Sequence, residues 1–474
     1  MLKSSSRKRI TAGVAAVAVG ILALAGCATE SSPSDGKPET LRILYTTAEA
    51  NAKALQAQVP AFEAEFGIKL AIDTQPYDAL QQKVFSEFAS SSDYYDIVVV
   101  DTPWAPALVG NLEPLSGYLN NAELNMKTDP DIADFIPKVL YDTAVYNVND
   151  PLKRFPSPDA EADVDAIKSA GFDVYGLPIQ ANVALMGYRA DLFSDETQRA
   201  NFQSEFGREL TVPETWDQYA EVAKFFTQPE NNLYGTTVMA GVGDWATDDF
   251  KTLLASNGGN GQLVADDLSL SFDTPEGLES LRYYKDLIDS GSVPPGSTSA
   301  SWTETATSFD SGLTAMTINY HELGLADNVD GEIGYAPVPH GVGAGPHFGT
   351  WMLSINKNSK NKDWAYQAIA WLTSSDSQLA MTENQLHPSR TSVYEAVQSQ
   401  AGDSAAGAFY PTLRASLEVG VGRARLTNYT EVSYVIAVAV NRVATGELSP
   451  EAALAEASKS VTSLLEQAGY SVTE

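Results

Sequence analysis

The chain has 474 residues, 44% of them hydrophobic, and 61 Asp and Glu against 30 Lys and Arg give it a net charge of −31. So negative a surface repels nucleic acid and anionic lipid, which excludes DNA, RNA and simple adsorption to a membrane as partners. The acids are dispersed among apolar segments, so this is no disordered acidic tail, and a chain well past the 250–300 residues at which single cores stop growing predicts two lobes.

Lys3, Arg7, Lys8 and Arg9 precede an apolar run from Ile10 to Ala25, followed by Gly26 and the chain's single cysteine, Cys27. This is the order of a secretory signal. The sixteen-residue run falls short of the roughly 20 needed to span a bilayer. Leu24-Ala25-Gly26-Cys27 resembles a bacterial lipoprotein signal. The resemblance implies that residues 1–26 are a signal peptide and that Cys27 becomes the lipid-modified N-terminus. One acyl chain holds a protein only at about 10⁴ M⁻¹, so the several chains implied, palmitate among them, would give a durable anchor. Loss of four positive charges with residues 1–26 takes the net charge from −31 to −35. Residues 27–40 read as a flexible tether. The expected location is the extracytoplasmic face of the cell membrane, with contact through the lipid alone. With no second cysteine, core burial must stabilise the fold outside the cell.

Leu41 to Thr47 reads as a strand, and Ala52 to Asp73 as a helix stopped by Gly67 and then a second strand, a unit that predicts a parallel sheet. Asp78 to Ser91 is amphipathic through Leu80, Val84, Phe85 and Phe88. "YDIVVVD", Tyr95 to Asp101, has the apolar run of a strand buried on both faces. It ends at Asp101-Thr102-Pro103-Trp104, and in open α/β sheets ligands bind beyond the carboxyl ends of strands. Helices follow from Pro213 and from Pro275 to Gly291, then strands at Leu313–Tyr320 and Gly349–Asn356, and helices over 361–374 and 449–469. No internal repeat is present.

Catalytic signatures are missing: there is no phosphate loop and no Gly-x-Ser-x-Gly elbow. His321-Glu322 begins like a zinc helix, but Leu325 stands where the second histidine belongs. Asp327 to Glu332 lacks the alternating acids of a calcium loop and reads as a surface turn. No metal or cofactor is expected. Trp104, Tyr320 and Trp351 stand at strand ends, while Trp245 and Trp302 fall in polar, loop-like segments. A flat ring with a polar edge suits a sugar, which has one C–H face and a rim of hydroxyls for Asp and Asn to bind. The alternative for each ring is core packing.

Eight segments in order, among them Tyr95–Leu119, Tyr175–Phe193, Phe309–Tyr320, Gly349–Ser374 and His387–Glu395, make residues 40–474 resemble the solute-binding proteins of bacterial ABC importers. Within these it resembles the sugar-binding group that includes maltose-binding protein. The resemblance implies an α/β, periplasmic-binding-protein-like fold of two lobes joined by three crossing segments. These are expected near Gln180–Val183, Gly349–Trp351 and Pro388–Thr391, which makes 41–181 with 352–390 one lobe and 182–351 with 391–474 the other. It implies a monomer that captures a sugar or polyol and delivers it to a membrane permease, and that is not an enzyme. A surface-tethered carbohydrate-active enzyme is the runner-up. The ligand contacts implied are Glu49, Asp101, Trp104, Asn182, Tyr320, Gly349, Trp351 and Arg390. Where many relatives have tryptophan, this chain has Tyr320 and His321.

Overall fold

The strand at Ile97–Asp101 (β3) is fully buried because a strand lies on each side of it and the first core packs around it. In the computed structural model, which describes residues 36–47, 49–320, 331–402 and 405–473, β1 (Thr40–Thr46) pairs in parallel with β2 (Lys69–Gln75) and with β3. This is the parallel arrangement expected of the first strand–helix–strand unit. β4 (Leu177–Val183) and β8 (Phe348–Ile355) complete the sheet in the order β2-β1-β3-β8-β4, with β8 antiparallel to both neighbours. Around it lies the first core, drawn from residues 41–179 and 351–386.

β5 (Leu185–Arg189) follows β4 after one residue, Ala184, and belongs to a second sheet, where it lies between β6 (Met316–Asn319) and β7 (Ile333–Pro337). The chain thus runs from one sheet into the other almost without a break. The second core gathers residues 186–316 and 424–465. Its helices begin on good caps: Thr215, Thr274 and Ser449 each accept a backbone N–H with their hydroxyls.

The two helices at Thr391–Ala401 and Ala405–Val419 differ from expectation. They join neither large core. They pack with Val183, Leu185, Tyr335 and Phe348 in a third core beside the β4–β5 passage. The chain enters the second core only after Gly420, through the irregular segment 421–426. From Pro38 onward the whole forms one compact unit. Cys27, the tether up to Asp35, His321 and the turn expected from Asp327 lie outside the described residues, apart from Gly331 and Glu332.

Candidate functional site

Strand register does the first assembly. Trp351 on β8 stands opposite Asp101 on β3 and Gln180 on β4, and the next rung but one pairs Gly349 with Asn182. Side chains far apart in sequence therefore meet where β3 ends. The Trp104 ring meets that of Trp351 edge-on at 5.7 Å, and Tyr77, opening the helix Tyr77–Ala89, lies 5.2 Å from Trp104 and 5.8 Å from Trp351. Its hydroxyl donates to Asp101 Oδ2 at 2.9 Å. Burial and the adjacent carboxylate push the Tyr77 phenol well above its ordinary range, so it stays a donor.

Rings of a small fourth core pack against this group. Trp302 meets Tyr77 edge-on at 5.8 Å and Trp245 at 4.9 Å, and Tyr320 lies 6.4 Å from Trp302 and 5.2 Å from the His347 ring. Trp245 and Trp302 were expected in loops, yet both sit in the first turn of a helix, Asp244–Ser256 and Trp302–Asp310. The physical reason is capping. Ser301 and Glu304 form a reciprocal capping box, and acidic residues in both first turns face the positive end of the helix dipole.

Beneath the rings lies a buried charged group that sequence reasoning missed. Arg423 Nη2 pairs with Asp244 Oδ2 at 2.7 Å and Asp248 Oδ2 at 3.1 Å, while Nη1 reaches Thr102 Oγ1 of the first lobe at 3.4 Å. His347 Nε2 lies 3.1 Å from the same Asp248 oxygen, and Lys251 Nζ lies 3.4 Å from His347 Nδ1 and donates to Gly422 O at 3.1 Å. Asp244, Asp248 and Lys251 recur at the spacing of one helix face, the signal that could have revealed them. Two residues on, Arg425 turns into the first lobe and donates to the carbonyls of Tyr141, Asp142, Val145 and Lys153. Arg423 is thus held by a segment hydrogen-bonded to backbone carbonyls beside the first core.

Gly349 is explained by the same guanidinium: a Cβ there would lie 2.7 Å from Arg423 Nη1 and 3.3 Å from His347 Nε2. Asn182 is buried, accepting from Gln180 Nε2 at 2.9 Å and meeting His387 Nδ1 at 2.8 Å. Asp101, Trp104, Tyr320, Gly349 and Trp351 are therefore brought together. Asn182 stands one layer behind them. Glu49 opens the first helix, with its side chain outside the described part of the structure. Arg390 is not brought to the group. It lies over the Phe135 ring at 3.8 Å, and its N–H groups go to the carbonyls of Pro130, Asp131 and Thr373 and to Asp134. It ties the 130–135 segment to the chain returning from the first core.

Burial pushes Asp248 up to about 7, with Arg423 opposing the shift, and pulls Lys251 down to about 7, with Asp248 opposing it. Between its ordinary 3.8 and about 7 the folded protein keeps an Asp248 proton that the unfolded chain has lost, so that contribution to stability falls as pH rises through this window. For Lys251 the folded form lacks a proton that the unfolded chain holds from about 7 to its ordinary 10.5, so its contribution rises with pH there. The joint contribution is lowest near neutrality. Denaturant unfolding of Asp248→Asn/Lys251→Met between pH 5 and 9 should give a flatter stability profile than the unsubstituted protein. An equally curved profile would contradict this assignment.

The geometry gathers edge-on and tilted aromatic rings, with carboxylates and a guanidinium beside them. Comparison with known proteins adds a family. The sequence pattern of the bacterial extracellular solute-binding proteins matches residues 46–379. A binding protein of Brucella abortus is 27% identical over 357 residues, covering 72% of this chain and 74% of that protein. The mannitol-binding protein of Pseudomonas aeruginosa is 24% identical over 369 residues, 71% of this chain and 81% of its own. Among solved structures, maltose-bound MalE3 of T. maritima superposes with a TM-score of 0.71 at 22% identity, over 90% of this chain and all of the other.

Proposed function

The chain belongs to the bacterial extracellular solute-binding protein family, and on that premise we propose that it captures an uncharged sugar or polyol between its lobes and delivers it to the permease of an ABC importer. The observation that carries this reading is the meeting of Tyr77 with Trp302 across the cleft, beside Asp101 and Arg423. Aromatic faces take the C–H side of a sugar, and charged groups, whose hydrogen bonds are roughly twice as strong as neutral ones, take its hydroxyls. Arg423 is matched by the carboxylates of Asp244 and Asp248, so an uncharged ligand upsets no pairing there. The mannitol-binding and maltose-bound relatives support the same chemistry.

The protein acts as a monomer, holds its ligand without chemical change, and is anchored at the outer face of the membrane by lipid on Cys27. The sequence pattern around Cys27 supports the anchor. Cys27→Ser should lose all labelled fatty acid and appear unprocessed or shed, whereas label retained on the variant would refute the anchor.

A thermal-shift panel of neutral sugars and polyols, with sugar acids and amino acids as controls, tests the ligand class. At 100 times Kd a true ligand adds about 2.7 kcal/mol of stability. The expected result is stabilisation by a neutral carbohydrate alone. Stabilisation confined to amino acids would overturn it.

A further inference from the structure

The two large cores are joined by side chains as well as by the chain itself. Residues 152–155 already divide between them, since Leu152 packs against the second core and Phe155 lies in the first. Arg154, between those two, serves three partners with one guanidinium. Nη1 donates to Asp142 Oδ1 at 2.8 Å, Nη2 to the Arg423 carbonyl at 2.8 Å, and Nε to Asp266 Oδ1 at 3.2 Å. Asp142 stands in the helix Pro137–Ala144, whose Leu140, Tyr141 and Ala144 belong to the first core. Asp266 follows Val264 of the second core by two residues, and Arg423 adjoins Ala424 of the same core.

These links differ in how easily they part. Arg425 is buried, lies over the Tyr146 ring at 4.2 Å, and donates to the carbonyls of Tyr141, Asp142, Val145 and Lys153. Pulling it away would strand a buried cation, so this joint stays fixed. The Asp266 side chain is 61% exposed, against 17% for Asp142. Water can therefore replace Arg154 at Asp266, while Arg154 keeps Asp142 and the Arg423 carbonyl. The difference matters for entry of a ligand. Trp104, Tyr320 and Trp351 are buried in the ring group, so a sugar reaches them only when the two cores move apart.

We propose that Arg154 and Asp266 form an ionic clasp between the two cores, which holds the protein closed over its ligand and is loosened by salt. Its effect on ligand rests on the carbohydrate reading given above; its effect on opening does not. Sign separates the clasp from the charge of the whole chain. Salt screens the self-repulsion of a chain of net charge −31, which favours the closed form. It weakens an exposed ion pair, which favours the open one.

For the sugar or polyol that stabilises the protein most, Kd should rise about two- to fivefold between about 10 mM and 1 M NaCl, the range one exposed pair supplies. Asp266→Asn keeps the fold, because the position is exposed. It should start at the weaker Kd in low salt and then stay flat or tighten. In a Cys27→Ser background, spin labels at Gln82→Cys and Glu431→Cys, two exposed positions on helices of the first and second cores, read the opening without ligand. In low salt their distances should be longer in Asp266→Asn than in the otherwise unsubstituted protein, and the two should converge in high salt. Equal distances in low salt, or a salt dependence of Kd shared by both proteins, would overturn the clasp and leave the carbohydrate reading standing. If no sugar or polyol binds, that reading falls and the label distances alone decide the clasp.

Discussion

Arg423→Met abolishes high-affinity ligand binding, with Kd raised at least a hundredfold, and lowers stability by about 3–5 kcal/mol. The stability figure follows from what is left behind, since removing one partner of a buried ion pair strands an uncompensated charge. Here Asp248 is wholly buried and Asp244 nearly so, and both lose Arg423 Nη2 at once. The affinity figure follows from position, because the same guanidinium reaches Thr102 across the cleft at 3.4 Å. Arg423→Lys should recover part of the stability, as one ammonium can neutralise one carboxylate. It should remain at least tenfold weak in ligand, because a point charge cannot reproduce the planar fork that serves both lobes. Calorimetry and denaturant unfolding on both variants decide the matter. Ligand affinity unchanged in Arg423→Met would remove this residue from the site.

Trp351→Ala is the second large expected effect, and it acts on two properties together. The family resemblance implies that this ring is a ligand contact at a crossing segment. The structure places it on β8 between β3 and β4, only 2% exposed, with its edge against Trp104 and Tyr77. The ring is therefore part of the first core, at the strand end where the aromatic group gathers. Truncating a buried tryptophan costs about 3–5 kcal/mol. A central anchor commonly costs 2 kcal/mol or more of binding, which is about thirtyfold in Kd at 1.4 kcal/mol per tenfold. Both losses should be measured in the one variant. A large loss of stability with unchanged affinity would make Trp351 a packing residue alone.

What was legible in the sequence is what local pattern controls. The run "YDIVVVD" announced a central strand because a strand buried on both faces has no polar alternation to show. Asp101 and Trp104 followed from its carboxyl end, and Trp351 from the strand that pairs beside it. The helix at Asp244–Ser256 was missed because Gly241–Asp249 is polar and glycine-bearing, and its capping is electrostatic rather than apolar. Its charged face acquires meaning only through Arg423, which is 175 residues from Asp248 and 179 from Asp244. No local pattern reports a partner at that separation. Arg390 shows the opposite failure. A motif position suggested a ligand contact, whereas the side chain spends its donors on backbone carbonyls exposed where the 130–135 segment has no strand partner beyond one bridge.

Capture without turnover between the two lobes is tested most directly by isothermal titration of the carbohydrate that stabilises the protein most. Capture alone gives one saturable heat with one equivalent bound, falling to the heat of dilution once ligand exceeds protein. Heat that continues at a steady rate after saturation would reveal catalysis and contradict it. The absence of any binding heat across all the neutral carbohydrates would contradict it as well.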